Sequence, residues 1–208
     1  MYLSKRIFDL LVVFLLAPVW VPLIVGSSLC IVIFDGMNPI FLQSRVGFNG
    51  KKIKIIKLRT MVSVDTRYDE QSSAGIVLRD DPRVTKLGSF MRSLSLDEMP
   101  QFINVLLGQM SVVGPRPAML GEMEAQGFDP QEIRKRNSVL PGLVGDAQLA
   151  GRNNLTWKEK MKLDLSFADR LQTSYSIFQD AAMVIMAILL VLSRKAIYEK
   201  EGRDRRND

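Results

Sequence analysis

Arg92-Ser93-Leu94-Ser95-Leu96-Asp97-Glu98-Met99-Pro100-Gln101, followed by Ser111-Val112-Val113-Gly114-Pro115-Arg116-Pro117, is the part of the chain around which the rest is read. Ser95 with Glu98 three residues later has the pattern of a capping box. The apolar run Phe102, Ile103, Val105, Leu106, Leu107 then predicts a helix that Gly108 stops. Pro100 marks the start of that helix independently, because the first N–H groups of a helix have no intrahelical partner to lose. Asp97 and Glu98 thus fall in its first turn, where free N–H groups and the positive dipole end suit a phosphate or pyrophosphate. Two carboxylates there repel an anion unless a cation intervenes, and magnesium is the usual hard cation bridging carboxylate and phosphate oxygens. Asp97 and Glu98 are therefore candidate catalytic and magnesium-binding residues for phosphoryl chemistry. A plain capping box with a dipole-complementing aspartate accounts for the same pattern.

The chain has 208 residues, 47% of them apolar, with a mean hydropathy of +0.09, which is high for a wholly soluble domain. Its 28 Lys and Arg outnumber 22 Asp and Glu, a net charge of +6 that fits an anionic partner: a membrane surface, a nucleotide or a nucleic acid. The absence of histidine excludes histidine general bases, Ser-His-Asp triads and histidine-containing zinc sites. Catalysis must rest on carboxylates, lysine, arginine or a metal. Cys30 is the single cysteine and lies in an apolar run, as a small hydrophobe does.

Between Asp9 and Asp35 there is no charged residue, and a helix over this stretch, at ~1.5 Å per residue, matches a bilayer's hydrocarbon core. Lys5 and Arg6 precede it, and Arg45, Lys51, Lys52, Lys54, Lys57 and Arg59 follow it, so the positive-inside rule draws both ends to the cytoplasm. Pro18 and Pro22 are candidate helix breaks that turn the segment back on itself as a re-entrant hairpin; an ordinary kinked transmembrane helix fits the same residues. Pro39 to Val46 and Lys52 to Leu58, around Phe48-Asn49-Gly50, predict a β-hairpin whose alternating lysines face water or anionic headgroups. Val62 to Gly75 reads as irregular, with Ser72-Ser73-Ala74-Gly75 a mobile loop. Asp81-Pro82-Arg83 opens a short helix through Val84, Leu87, Phe90 and Met91.

In Gly114-Pro115-Arg116-Pro117 two prolines lock the backbone around one arginine, which suits bidentate contact with phosphate, although a surface turn has the same spacing. Gly121 to Asn137 reads as helical with a break at Asp129-Pro130. Pro141 to Asn153 is a glycine-punctuated loop able to bring N–H groups, with Gln148 and Arg152 in it, close to a ligand. Trp157 to Asp169 and Ile177 to Leu192 read as helices; the apolar part of the second, Ala181 to Leu192, is too short to span a bilayer and belongs in the core or the interface. Arg194-Lys195 and the charged tail Glu199 to Asp208 return to water.

Taken together, these blocks resemble the monotopic phosphoglycosyl transferases, small bacterial sugar transferases. The resemblance runs through Lys5-Arg6-Ile7-Phe8-Asp9, Lys57-Leu58-Arg59-Thr60-Met61, Asp81-Pro82-Arg83-Val84-Thr85, Arg92 to Glu98 and Asn104-Val105-Leu106. It continues through Met110-Ser111, Gly114 to Pro117, Pro141-Gly142, Gly151-Arg152-Asn153 and Leu163-Asp164. The resemblance implies an α+β, mainly helical monotopic membrane protein on the cytoplasmic face of the bacterial inner membrane. Residues 1–35 would form the re-entrant membrane helix, 36–180 a catalytic domain with the β-hairpin, and 181–208 an interfacial helix and charged tail.

The implied activity is magnesium-dependent transfer of a phosphosugar from a UDP-sugar to undecaprenyl phosphate, with release of UMP, as the first membrane step of glycan assembly. Asp97 would carry a covalent phosphosugar and Glu98 would serve the metal or a proton transfer. Arg116 and Arg152 would bind nucleotide or phosphate, with Lys57, Arg59, Gln148 and Asp164 as further substrate contacts. Leu140 stands where many members have arginine, and Asp146 where several have an aromatic, both of which bear on the sugar accepted. Competing readings are a membrane glycosyltransferase that releases UDP and a non-catalytic scaffold for glycan enzymes. Nucleic-acid binding is disfavoured because the basic residues are spread out. The oligomeric state is left open, a homo-oligomer included.

Overall fold

A computed structural model describes residues 3–62, 81–151 and 154–192. The expected loop at Ser72 to Gly75, Arg152, the Arg194-Lys195 pair and the tail from Glu199 lie outside the described residues.

Helix α1 (Leu3–Cys30) continues into a π-helical turn, Ile31–Asp35, which Gly36 ends in the left-handed conformation at φ +63°. Leu3–Asp35 is long and apolar enough to cross a membrane. Pro18 and Pro22 lie inside an unbroken helix, so the break expected there is not an interruption: each ring removes one backbone bond, and the neighbouring bonds carry the helix across. One stripe of α1, with Phe8, Val13 and Trp20, is buried in the main core. The other side leaves Leu11, Phe14, Leu15, Val19, Val25 and Leu29 exposed. Trp20 stacks on Phe102 at 5.6 Å between ring centres and donates its indole N–H to the Val13 carbonyl at 2.9 Å.

Both ends of α1 are held by the same body. Arg6 donates to the carbonyls of Val105 (2.6 Å) and Leu106 (2.8 Å), and Asp9 accepts from Ser111 Oγ (2.9 Å) and Val112 N (3.0 Å). Buried Lys5 bridges Asp9 (3.2 Å) and Asp180 (2.7 Å). At the far end Asp35 accepts from the Thr85 hydroxyl at 2.9 Å.

Strands β1 (Ile40–Val46) and β2 (Lys52–Leu58) form the expected antiparallel hairpin, with Ile40 opposite Leu58 and Val46 opposite Lys52. Asn49 (φ 53°) and Gly50 (φ 76°) both take the left-handed conformation that Asn-Gly favours. The outer edge of β2 is closed by one side chain. Asn104, fully buried, accepts from Ile56 N at 3.0 Å and donates to Lys54 O at 2.8 Å, as a neighbouring strand would. Asn104→Ala leaves both backbone groups without partners, and we expect a loss of about 2 kcal/mol and about 4–8 °C in melting temperature. An unshifted transition would contradict this role.

Short helices α2 (Lys86–Ser93) and α3 (Gln101–Leu106) flank the acidic dyad, and Gly108 follows α3 at φ +74°. The run from Ser111 holds β3 (Ser111–Val113), then α4 (Glu122–Ala125) and α5 (Pro130–Arg136), the last two separated at Asp129 as the sequence predicts. The segment expected as a glycine loop instead contains β4 (Gly142–Val144), paired in parallel with β3, and α6 (Asp146–Leu149). Helices α7 (Trp157–Thr173) and α8 (Ile177–Leu192) complete the described chain, which is mainly helical with two small sheets. Phe167 and Ala168 of α7 and Met183 of α8 join the main core with α1, Val105, Met110, Val112 and Val113.

Candidate active site

Between α2 and α3 the chain reverses at Ser95, a non-glycine residue in the left-handed conformation (φ 55°, ψ 22°), and makes a 3-10 turn over Leu96–Glu98. Leu96 packs against the cluster of Ile31, Leu58 and Met91, so the turn is seated on the end of the long apolar N-terminal helix. The expected capping box does not form: Ser95 makes no cap bond, and its N–H goes to the Arg92 carbonyl at 3.1 Å. Glu98 is claimed by charged donors instead, which bind a carboxylate more strongly than a backbone N–H does. Arg116 grips it with both Nη atoms, Nη1 to Oε2 at 3.0 Å, and Lys57 Nζ reaches Oε1 at 3.4 Å.

The two carboxylates thereby differ. Asp97 lies within the field of Lys57, Arg92 and Arg116, with the Glu98 carboxylate beside it. Burial, and next the Glu98 charge, raise its pKa above the ordinary carboxylate value. Burial likewise lowers the Lys57 pKa, with Glu98 opposing. Burial works against the Arg116 charge too, but Glu98 outweighs it and the guanidinium stays firmly protonated. Arg92 donates from Nε to the Thr60 hydroxyl at 2.8 Å.

The locked arginine of the sequence is held by more than its prolines. Gly142 N donates to the Pro115 carbonyl (2.8 Å), Arg136 Nη2 to the Arg116 carbonyl (2.7 Å), Arg45 Nη1 to the Pro117 carbonyl (3.3 Å) and Val46 N to the Ala118 carbonyl (2.8 Å). Gly114 and Gly142 cross backbone on backbone: a Cβ on Gly142 would stand 2.1 Å from Gly114 N. Glycine is needed at position 142 for this crossing, where the sequence reading had it open a ligand cradle.

Of the predicted site residues, Asp97, Glu98, Lys57 and Arg116 come together. Asp164 is buried against Arg136 (2.7 Å), so it reaches the site only through the bond that Arg136 makes to Arg116. Arg59 donates to the Asn38 carbonyl at 3.0 Å and lies over the Phe41 ring, at the open end of the hairpin. Gln148 donates to the Leu143 carbonyl at 3.1 Å, and Asp146 is engaged by Arg170 at 2.8 Å, which neutralises the charge that had suggested an altered sugar site. Arg92, Arg136 and Arg45 were not foreseen as site residues. For Arg45 the signal was available: it lies opposite Ile53 in the hairpin register, a charge on an otherwise inward-facing position.

Among the described residues no group of three or more acidic, histidine or cysteine side chains stands ready to hold a metal. Asp97 and Glu98 are the carboxylates of this site that would hold a magnesium ion, Glu98 through the lone pairs that Arg116 and Lys57 leave.

Comparison with known proteins places similarity along nearly the whole chain. The profile described as bacterial sugar transferase matches residues 1–194. An uncharacterized sugar transferase, EpsL, of Bacillus subtilis (strain 168) is 36% identical over 197 residues, covering 94% of this chain and 90% of the relative. The UDP-glucose:undecaprenyl-phosphate glucose-1-phosphate transferase of Escherichia coli (strain K12) is 35% identical over 94% of this chain and 42% of its own length. A UDP-galactose-lipid carrier transferase of Erwinia amylovora is 34% identical over 93% of this chain and 41% of its own length. The chain thus spans less than half the length of the last two.

Proposed function

This chain belongs to the bacterial sugar transferase family, and from that premise we propose that it transfers a sugar phosphate from a UDP-sugar to a polyprenyl phosphate such as undecaprenyl phosphate, releasing UMP. The observation that carries this reading is the asymmetry of the dyad, in which Glu98 is gripped by Arg116 and Lys57 while Asp97 lies among the same cations. Asp97 acts as the nucleophile. One of its oxygens attacks the phosphorus that bears the sugar, and the bond from that phosphorus to the bridging oxygen breaks, its electron pair leaving with UMP. An oxygen of polyprenyl phosphate then attacks the same phosphorus and the Asp97 carboxylate departs. Both nucleophiles react in their anionic forms, so neither step needs a base to remove a proton as the bond forms, which suits a chain without histidine.

Glu98 holds Arg116 and Lys57 in place, and Arg116, Lys57 and Arg92 bind phosphate oxygens and stabilise the charge on them. Asp97 and Glu98 would hold magnesium, which would supply charge neutralisation between a carboxylate and an anion. Because the Asp97 pKa is raised and the ionised form reacts, activity falls as pH drops through that raised value. The acidic limb of the kcat/KM profile, which reports the enzyme before magnesium and donor bind, should lie above the ordinary carboxylate range, and Glu98→Gln, which removes one cause of the shift, should move that limb to lower pH. A limb at an unperturbed carboxylate pKa would contradict the assignment.

The membrane segment is proposed to enter and leave on the cytoplasmic face. This is supported by basic residues flanking both ends and by the bonds that tie Arg6 and Asp9 at one end and Asp35 at the other to the same body. The exposed apolar sides of α1 and α8 then lie in lipid.

The reaction is tested by nucleotide release from purified protein supplied with magnesium, undecaprenyl phosphate and UDP-sugars, UDP-glucose and UDP-galactose among them. Release of UMP is expected; release of UDP would indicate an ordinary glycosyltransferase.

A further inference from the structure

Arg45 is only 8% exposed, yet no described carboxylate forms an ion pair with it. Its bonds go to neutral acceptors, the Pro117 carbonyl at 3.3 Å and Gln43 Oε1 at 2.8 Å, and its buried Nε has no partner. A buried cation without an ion pair is destabilising, and this one stands in the field of a second guanidinium, Arg116, with the charges of Glu122 and Glu98 opposing it. Burial, and next Arg116, draw the Arg45 pKa down to about 10, so it still carries its charge at neutral pH.

The charge balance of the site shows what such a residue adds. Among the described residues, Lys57, Arg83, Arg92 and Arg116 face Asp81, Asp97, Glu98 and Glu122, an even match. Arg45 is the further described cation beside them. Its bond to the carbonyl of Pro117 ties it to the residue next to Arg116.

Resting on the proposed use of a nucleoside diphosphate sugar, we propose that Arg45 is the positioning charge for the second phosphate of the donor, acting from behind Arg116 through the buried site. A monophosphate such as UMP lacks the sugar-side phosphate that Asp97 attacks beside Arg116, whereas a diphosphate brings that charge into the field of Arg45. Low-dielectric surroundings strengthen such an effect without direct contact.

The test compares binding of UDP and UMP to the full-length protein in detergent or nanodiscs, by calorimetry with magnesium present. Arg45→Gln keeps a donor for the Pro117 carbonyl and removes the charge; Arg45→Lys keeps the charge. With Arg45→Gln we expect UDP affinity to fall about tenfold and UMP affinity by no more than about twofold, and with Arg45→Lys a UDP-to-UMP ratio close to wild type. A merely structural role would weaken both nucleotides together in both variants, and that result, or an unchanged ratio in Arg45→Gln, overturns the assignment. If Arg45→Gln does not fold, Arg45→Lys decides: a lost preference for UDP over UMP overturns it. Wild-type protein that binds neither nucleotide overturns the donor reading and the Arg45 assignment with it. Wild-type binding with an unmoved ratio overturns the Arg45 assignment alone.

Discussion

Asp97→Asn is expected to lower turnover by at least about a thousandfold while leaving a folded protein whose melting temperature is equal to or above that of the wild type. The first part follows from replacing a nucleophilic carboxylate by an amide of the same shape. The second follows from the sign of the pKa shift. Burial and Glu98 raise the folded-state pKa of Asp97, so its contribution to stability is complete below the unfolded pKa and is lost as pH rises through the folded value. Once ionised, the carboxylate therefore weakens the fold, and a neutral isostere relieves that. Activity lost together with a lowered melting temperature would mean instead that Asp97 is structural. Near wild-type turnover would remove it from the chemistry altogether.

Gly142→Ala should have the largest effect on stability. The added Cβ would lie 2.1 Å from Gly114 N and 2.6 Å from the Gly114 carbonyl oxygen, both backbone atoms that cannot rotate aside. Relief requires β3 and β4 to part, which breaks the bonds from Ser111 N to the Pro141 carbonyl and from Gly142 N to the Pro115 carbonyl, both 2.8 Å. We expect a loss of about 3 kcal/mol or more, and low activity in whatever folded protein remains, because Arg116 is displaced with its backbone. The check is the yield and melting temperature of the variant beside Gly127→Ala, whose added Cβ would meet no atom within 4 Å. Equal behaviour of the two would show that the crossing is not tight. Gly127 itself has φ +74°, so some strain is expected in the control.

These two variants also mark what was legible in the sequence. The hairpin was readable because Asn49-Gly50 and the alternating strands are local signals, and the division of α4 from α5 because Asp129-Pro130 is one. Asp97 and Glu98 stand out in the sequence as neighbouring carboxylates, but the grip on Glu98 was not readable, since Arg116 and Lys57 are remote in sequence and meet Glu98 only in space. The same long-range charges defeat the local Ser95–Glu98 capping pattern.

The parallel pair β3 and β4 was hidden for another reason. Ser111–Val113 and Gly142–Val144 are each one short stretch with no periodicity to read, and their pairing is set by the close approach of Gly114 to Gly142. A glycine required for backbone contact and a glycine that cradles phosphate look alike in sequence. Asp164 illustrates the same limit: an acid near the site in the fold, but spent on Arg136.

The central claim is that Asp97 carries the sugar phosphate between donor and acceptor. Its most direct test is the intact mass of the protein after incubation with magnesium and a UDP-sugar that supports UMP release, with no polyprenyl phosphate present. The account predicts an added sugar phosphate located on the peptide containing Asp97, removed when undecaprenyl phosphate is added and absent in Asp97→Asn. UMP formed only when donor and acceptor are both present, with no adduct at any time, would contradict it.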